Sequence, residues 1–253
     1  MAEAADENIS PASVRRPGVG FLLAVLAALA LLIGLGVWQL HRLEWKEDLL
    51  AAIERRVAQP PVSLDEALVL WRTSGDVDYL PVRLNGIYRH DHEQHFLATL
   101  NGHSGWHVYT PMQLANGRLV IVNRGFVPYD LKDMSARPWR PVSGAVGING
   151  LARNPLTEKP GWLLPENAPA DRIWYWKDFA GMAEAMTLAP EPLVPFFVDV
   201  SDTDAAEGPV SGVTRVSLPN NHLQYAVTWF GLAAVLTVTA ALLVWRGRGR
   251  TKS

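Results

Sequence analysis

The chain contains no cysteine. Disulfides, thiolate zinc sites, iron–sulfur clusters, a cysteine nucleophile and copper transfer through paired thiolates are therefore excluded. Methionine is sparse, and the one suggestive pair, Met182 and Met186, sits one helical turn apart, where packing is the expected use. Excess positive charge is lacking too: the formal net charge is −2. Nucleic-acid binding usually shows as a basic patch or a basic domain, and nothing here argues for it. No catalytic set is recognisable either. Gly102-His103-Ser104-Gly105 falls short of a nucleophile elbow, which needs glycine two residues to either side of the serine, and position 106 is Trp. The chain reads as a non-enzyme, with no catalytic residue to name.

Charge is missing altogether from two long stretches. None occurs from Pro17 to His41, and none from Val216 to Trp245. A bilayer core about 30 Å thick needs roughly 20 apolar residues at 1.5 Å of rise each, and both stretches reach that length. The first, Val19 to Leu40, exceeds the 7–15 residues of a signal-peptide core and ends in Val37-Trp38-Gln39-Leu40-His41, without a small-residue cleavage pattern. It is expected to remain as an anchor. Glu3, Asp6 and Glu7 lie ahead of it, whereas a mitochondrial transit peptide is poor in acids; a bacterial inner membrane is the expected location. Arg246, Arg248, Arg250 and Lys252 follow the second stretch, and only Arg215 precedes it at a distance, while the first stretch is nearly balanced between Arg15 and Arg16 before it and Arg42 and Lys46 after it. The positive-inside rule then puts both termini in the cytoplasm.

The expected organisation is a cytoplasmic tail over 1–17, a transmembrane helix over 18–40, a periplasmic domain over 41–221, a second transmembrane helix over 222–245 and a basic cytoplasmic tail over 246–253. Within the domain, helices are expected over 47–58, 64–71 and 178–186. Alternating, β-branched and aromatic runs predict strands over 79–88, 94–100, 107–114, 118–124, 144–153, 172–177 and 194–200. Asn116-Gly117 is a hairpin signal between two of them. The fold class is thus a membrane protein with two transmembrane helices flanking an α+β, mostly antiparallel β extracytoplasmic domain, its sheet open or partly closed into a barrel.

The outer ends of the anchors hold the candidate binding residues. Trp38, His41 and Trp45 are spaced by three and four and share a helix face; tryptophan there suits an interfacial belt. Asn221-x-x-Gln224 fits a capping pattern, which puts His222 at the first helical position, with Pro219 ending the extended chain before it. Tyr225 and Trp229 follow at one-turn intervals. A helix N-terminus disfavours positive charge, and neutral imidazole is the metal-binding form. Two readings stay open on these grounds: an interfacial histidine without a ligand, and a histidine poised to bind metal beside aromatics suited to a flat apolar group. His90-x-His92-x-x-His95 is read as a solvated polar turn, because on a strand His95 would leave the face shared by the other two. Trp174 and Trp176 are expected on one strand face.

Five runs carry a resemblance. Leu35-Gly36-x-Trp38-Gln39-x-x-Arg42-x-x-Trp45-Lys46, Tyr79-x-Pro81-Val82-x-Leu84-x-Gly86-x-Tyr88, Gly105-x-His107-Val108-x-Thr110-Pro111, Val122-Asn123-Arg124-Gly125-Phe126-Val127-Pro128 and Asn220-Asn221-His222-Leu223-x-Tyr225-Ala226-x-Thr228-Trp229-Phe230 occur in that order. Together they resemble the signatures of the Surfeit-locus (Surf-one, Shy-type) cytochrome c oxidase assembly factors. Phe126 departs from the pattern, which usually has Trp there; an aromatic plug is kept and an indole N–H is lost. The resemblance implies an assembly factor of the respiratory chain that binds haem a and aids its insertion into the oxidase core subunit, with that subunit, other assembly factors and membrane lipid as partners. It makes His222 the candidate ligand of the haem iron, with Tyr225, Trp229 and Trp38 around it. His41 falls at a variable slot and is a candidate second axial ligand by membrane depth alone. Arg124 stands either as a clamp on a haem propionate or as a residue pinning a turn. The alternative function is a haem-free, membrane-anchored chaperone that stabilises an oxidase intermediate through its periplasmic domain.

Overall fold

The computed structural model describes residues 18–188, 192–201, 208–213 and 220–249. The tail over 1–17 with Arg15 and Arg16, and likewise Arg215, Pro219, Arg250 and Lys252, lie outside the described residues. The chain divides into two compact units, Met1–Leu50 with Leu218–Ser253, and Ala51–Ser217.

The first unit is built on two long helices. Helix α1 runs unbroken over Val19–Val57, joining the expected anchor and the expected helix beyond it. No proline interrupts this span; proline stands at 17 and 60, just outside each end, where it cannot disturb the hydrogen-bond ladder. Helix α4 covers His222–Gly249. Both are long and apolar enough to cross a membrane, over Val19–Val57 and His222–Arg246.

The second unit is a sheet domain. Strands β1 (Val62–Ser63), β2 (Pro81–Tyr88), β3 (Gln94–Leu100), β4 (His103–Leu114), β5 (Leu119–Pro128), β6 (Ala145–Arg153), β7 (Ile173–Trp174) and β8 (Leu193–Val200) form one sheet in the order β1-β2-β6-β8-β5-β4-β3-β7. An additional pairing of β2 with β4 closes β2, β6, β8, β5 and β4 into a barrel-like ring. The sheet is mixed rather than simply antiparallel: β1–β2, β3–β7 and β5–β8 pair in parallel. The reason lies in the connections. Short hairpins join β3, β4 and β5 antiparallel, whereas β7 and β8 return after long crossovers, which permit parallel pairing.

Local chemistry sets the smaller elements. Helix α2 (Leu64–Ser74) begins with a complete capping box between Ser63 and Glu66 and ends at Gly75 in the left-handed region. Gly117 takes φ +79° in the turn between β4 and β5, the conformation that the Asn-Gly signal implies. Strand β5 is buried along nearly its whole length because it has a core on each side. Val120 and Val122 join α2, β2 and Phe196 in one core. Leu119 and Ile121 join Tyr109, Phe197, Trp174 and helix α3 (Phe179–Ala185) in the other. Met182 and Met186 are fully buried there. The expected strand over 172–177 shrinks to β7, so of Trp174 and Trp176 only Trp174 is a strand residue; its Nε1–H donates to Gln94 Oε1 at 2.9 Å.

Candidate functional site

Helices α1 and α4 touch at two places, Gly36 with Phe230 and Gln39 with His222. Gly36 and Gln39 are the buried residues of α1, and Ala226 and Ala233 are buried on α4. His222, Ala226, Phe230 and Ala233 recur at intervals of four, four and three, which is one helix face. A Cβ added at Gly36 would lie 2.7 Å from the Phe230 ring, so glycine admits the aromatic side chain there.

His222 opens α4 at the end of this face. Its Nδ1 lies 2.7 Å from Gln39 Oε1. Its backbone N–H donates to Asn220 Oδ1 at 3.5 Å, and Asn221 offers its carbonyl to the Tyr225 N–H at 3.2 Å. The side-chain acceptor at the helix start is therefore Asn220, where the capping pattern had indicated Asn221. No contact among the described residues engages His222 Nε2. Trp38 and Tyr225 are more than half exposed, Trp229 is half-buried and His41 is exposed. The residue that the structure brings to His222 is thus Gln39, not His41. Sequence gave one signal for it: an uncharged polar side chain inside an apolar helix needs a partner.

Arg124 belongs to the sheet domain and is 8% exposed. Its Nη1 lies 3.2 Å from His90 Nδ1 and 3.9 Å from Glu93 Oε2, and its guanidinium sits 4.7 Å over the Tyr88 ring. His90 Nε2 meets the Val142 carbonyl at 2.9 Å. The carbonyl can only accept, so Nε2 carries the proton and Nδ1 receives Arg124. Burial lowers the pKa of both Arg124 and His90. Glu93 is the centre of this network. Arg137 grips it at 2.6 and 3.1 Å, and His95 Nε2 lies at 3.0 Å. Burial alone would raise the Glu93 pKa, but the bonds from His95 and Arg137 outweigh it and hold the carboxyl below its ordinary value.

The 90–95 segment is consequently no solvated turn. His90–His92 forms a 3₁₀ turn, and Glu93 and His95 are buried. Each histidine has its own partner, His92 pairing with Asp91 at 2.9 Å. Sequence reasoning missed the Glu93–Arg137 pair, whose members are 44 residues apart and meet only through the sheet. Phe126 is 5% exposed and packs edge-on against His107 at 6.2 Å, the plug expected of an aromatic at that position.

Comparison with known proteins gives a consistent result. The model of the SURF1 family matches residues 26–234. The chain is 34% identical to "Surfeit locus protein 1" of Mus musculus over 85% of this chain and 71% of that protein. It is 32% identical to "Surfeit locus protein 1" of Xenopus tropicalis over 91% of this chain and 78% of that one. A "SURF1-like protein" of Monosiga brevicollis is 28% identical, with 96% and 94% covered.

Proposed function

This chain belongs to the SURF1 family, and from that premise we propose that it is a membrane-anchored assembly factor for haem–copper (cytochrome c) oxidase, not an enzyme. In this reading it holds haem a at the outer boundary of a bacterial inner membrane and aids its transfer to the oxidase core subunit, among other assembly factors. Both termini are cytoplasmic and the sheet domain is periplasmic. Haem is cargo here: it requires an open nitrogen ligand for its iron and flat apolar surroundings for its ring.

The contact between Gln39 and His222 carries the reading. An amide oxygen has no hydrogen to give, so Nδ1 of His222 bears the proton, which leaves Nε2 as the nitrogen with the lone pair in the neutral ring. That is the ligating form of imidazole, with its second nitrogen fixed by a neighbour, as metal-binding histidines usually are. Trp38, Tyr225 and Trp229 supply exposed or half-exposed aromatic surface on the same two helices. His41 and Arg124 are given no part: no described contact engages His41, and Arg124 is committed to His90, Tyr88 and Glu93.

The test is co-purification from cells that make haem a, read by visible spectrum, for the wild type, His222→Ala and Gln39→Leu. His222→Ala should retain little or no haem. Gln39→Leu should bind on the order of tenfold more weakly, the usual effect of losing a group that orients a ligand. Equal haem in the wild type and His222→Ala would overturn the assignment and favour a haem-free chaperone acting through the sheet domain.

A further inference from the structure

The sheet domain holds a cavity of about 230 Å³ that the haem reading does not use. Its lining combines apolar side chains, Phe96, Leu100 and Val213, with the polar Lys177, Tyr109, His107 and Asp199. The carboxylate of Asp199 is engaged within the protein: Oδ1 accepts from Asn123 Nδ2 at 3.0 Å, and Oδ2 lies 3.6 Å from Arg153. Arg153 in turn donates to Asp78 at 2.8 Å.

Lys177 and Tyr109 act on each other, while the Tyr109 hydroxyl and His107 Nδ1 have no well-aligned hydrogen bond. Among the described residues Lys177 makes no ion pair. Its Nζ stands 5.9 Å from the centroid of the Tyr109 ring, close enough to act on the phenol electrostatically. Tyr109 is fully buried, and its hydroxyl has no aligned hydrogen-bond partner. Nδ1 of His107 is also buried and unpartnered. Burial pushes the Tyr109 phenol up to about 12 and His107 down to about 4, so the phenol keeps its proton and the imidazole stays neutral. Burial disfavours the Lys177 ammonium, but Tyr109 and Asp199 outweigh it and hold the group above its ordinary value. The lining therefore offers an excess of donors, an ammonium and a phenol, together with hydrocarbon. Buried polar groups left without partners are rare and costly in folded proteins.

We propose that this cavity is a binding site for a short-chain aliphatic carboxylate. The carboxylate accepts hydrogen bonds from Lys177 and the Tyr109 hydroxyl, and the hydrocarbon tail lies against Phe96, Leu100 and Val213. A singly charged ligand suits the lining better than a dianion, because Asp199 is part of it and would repel the second charge. A cationic ligand would meet the Lys177 ammonium and be repelled by it.

The test is titration of ¹³C-carboxyl-labelled butyrate into the full-length, detergent-solubilised protein, followed by NMR. The wild type should bind saturably. Tyr109→Phe keeps the ring and removes only the hydroxyl, so it should fold as the wild type does and bind about tenfold more weakly, the usual loss for a hydrogen bond to a charged group. Lys177→Met should abolish binding, and if that variant does not fold, Tyr109→Phe alone decides. Inorganic phosphate should compete poorly, and butylammonium not at all. Butyrate that fails to saturate, as for a cavity holding only water, would overturn the proposal. So would equal affinity in Tyr109→Phe, or displacement by phosphate or butylammonium at the concentrations at which butyrate itself competes.

Discussion

Glu93 stands among Arg137, Arg124 and His95 with almost no access to water. A buried carboxylate so placed adds little net stability as a pair, but removing it strands the cations it neutralises. Glu93→Gln keeps the shape and loses the charge, and should cost about 3–5 kcal/mol in chemical denaturation at neutral pH. The pH dependence follows from the same contacts. Because folding lowers the carboxyl below its ordinary 4.5, its contribution is complete above that pH. As pH falls further the unfolded chain takes up the proton first, and the contribution is lost through the folded pKa. The stability gap between the wild type and Glu93→Gln should therefore narrow on acidification below about pH 4.5. A gap that stays constant would mean that the charge of Glu93 does not matter. The partners of Glu93 could not be read in advance: Arg137 and Arg124 look like any other arginines until the sheet brings them in.

Along the elements, the contact between α1 and α4 shows how one face of a helix can be apolar throughout and still specific. Gly36, Ala226 and Ala233 are small, and Phe230 fills the space that Gly36 leaves. Gly36→Ala places a methyl group against that ring and should destabilise the pair by about 1–3 kcal/mol, the usual cost of overpacking, seen as a lower melting temperature in detergent. Pairing it with Phe230→Leu should recover part of the loss. If the double variant is no better than Gly36→Ala, the contact is not the cause. Sequence periodicity named most of these elements, from the helix at 64 to the strand at 193. It failed at β7, where Trp174 and Trp176 looked like strand neighbours. The chain leaves the ladder after Trp174, because β7 meets β3 only through Ile173 and Trp174.

At the scale of the whole molecule, two helices with long uncharged stretches flank, in sequence, a domain with hydrophobic cores of its own. If both helices cross the membrane, the two ends of the chain share a side. A reporter enzyme fused after Ser253 in a bacterial host should be active in the cytoplasm, and one inserted at the Asn116-Gly117 turn should be active in the periplasm. The reverse pattern would sink the proposed topology. The two long apolar helices, the Asn116-Gly117 hairpin and the helix at 64 were legible in sequence alone, since each depends on side chains near one another in the chain; His222 was singled out by the resemblance of its run to the family signature. The closure of the sheet through β2 and β4, the partnership of Gln39 with His222 across 183 residues and the donor-rich cavity around Tyr109 were decided only by the tertiary structure. Each depends on which distant groups are desolvated together, and local periodicity carries no record of that.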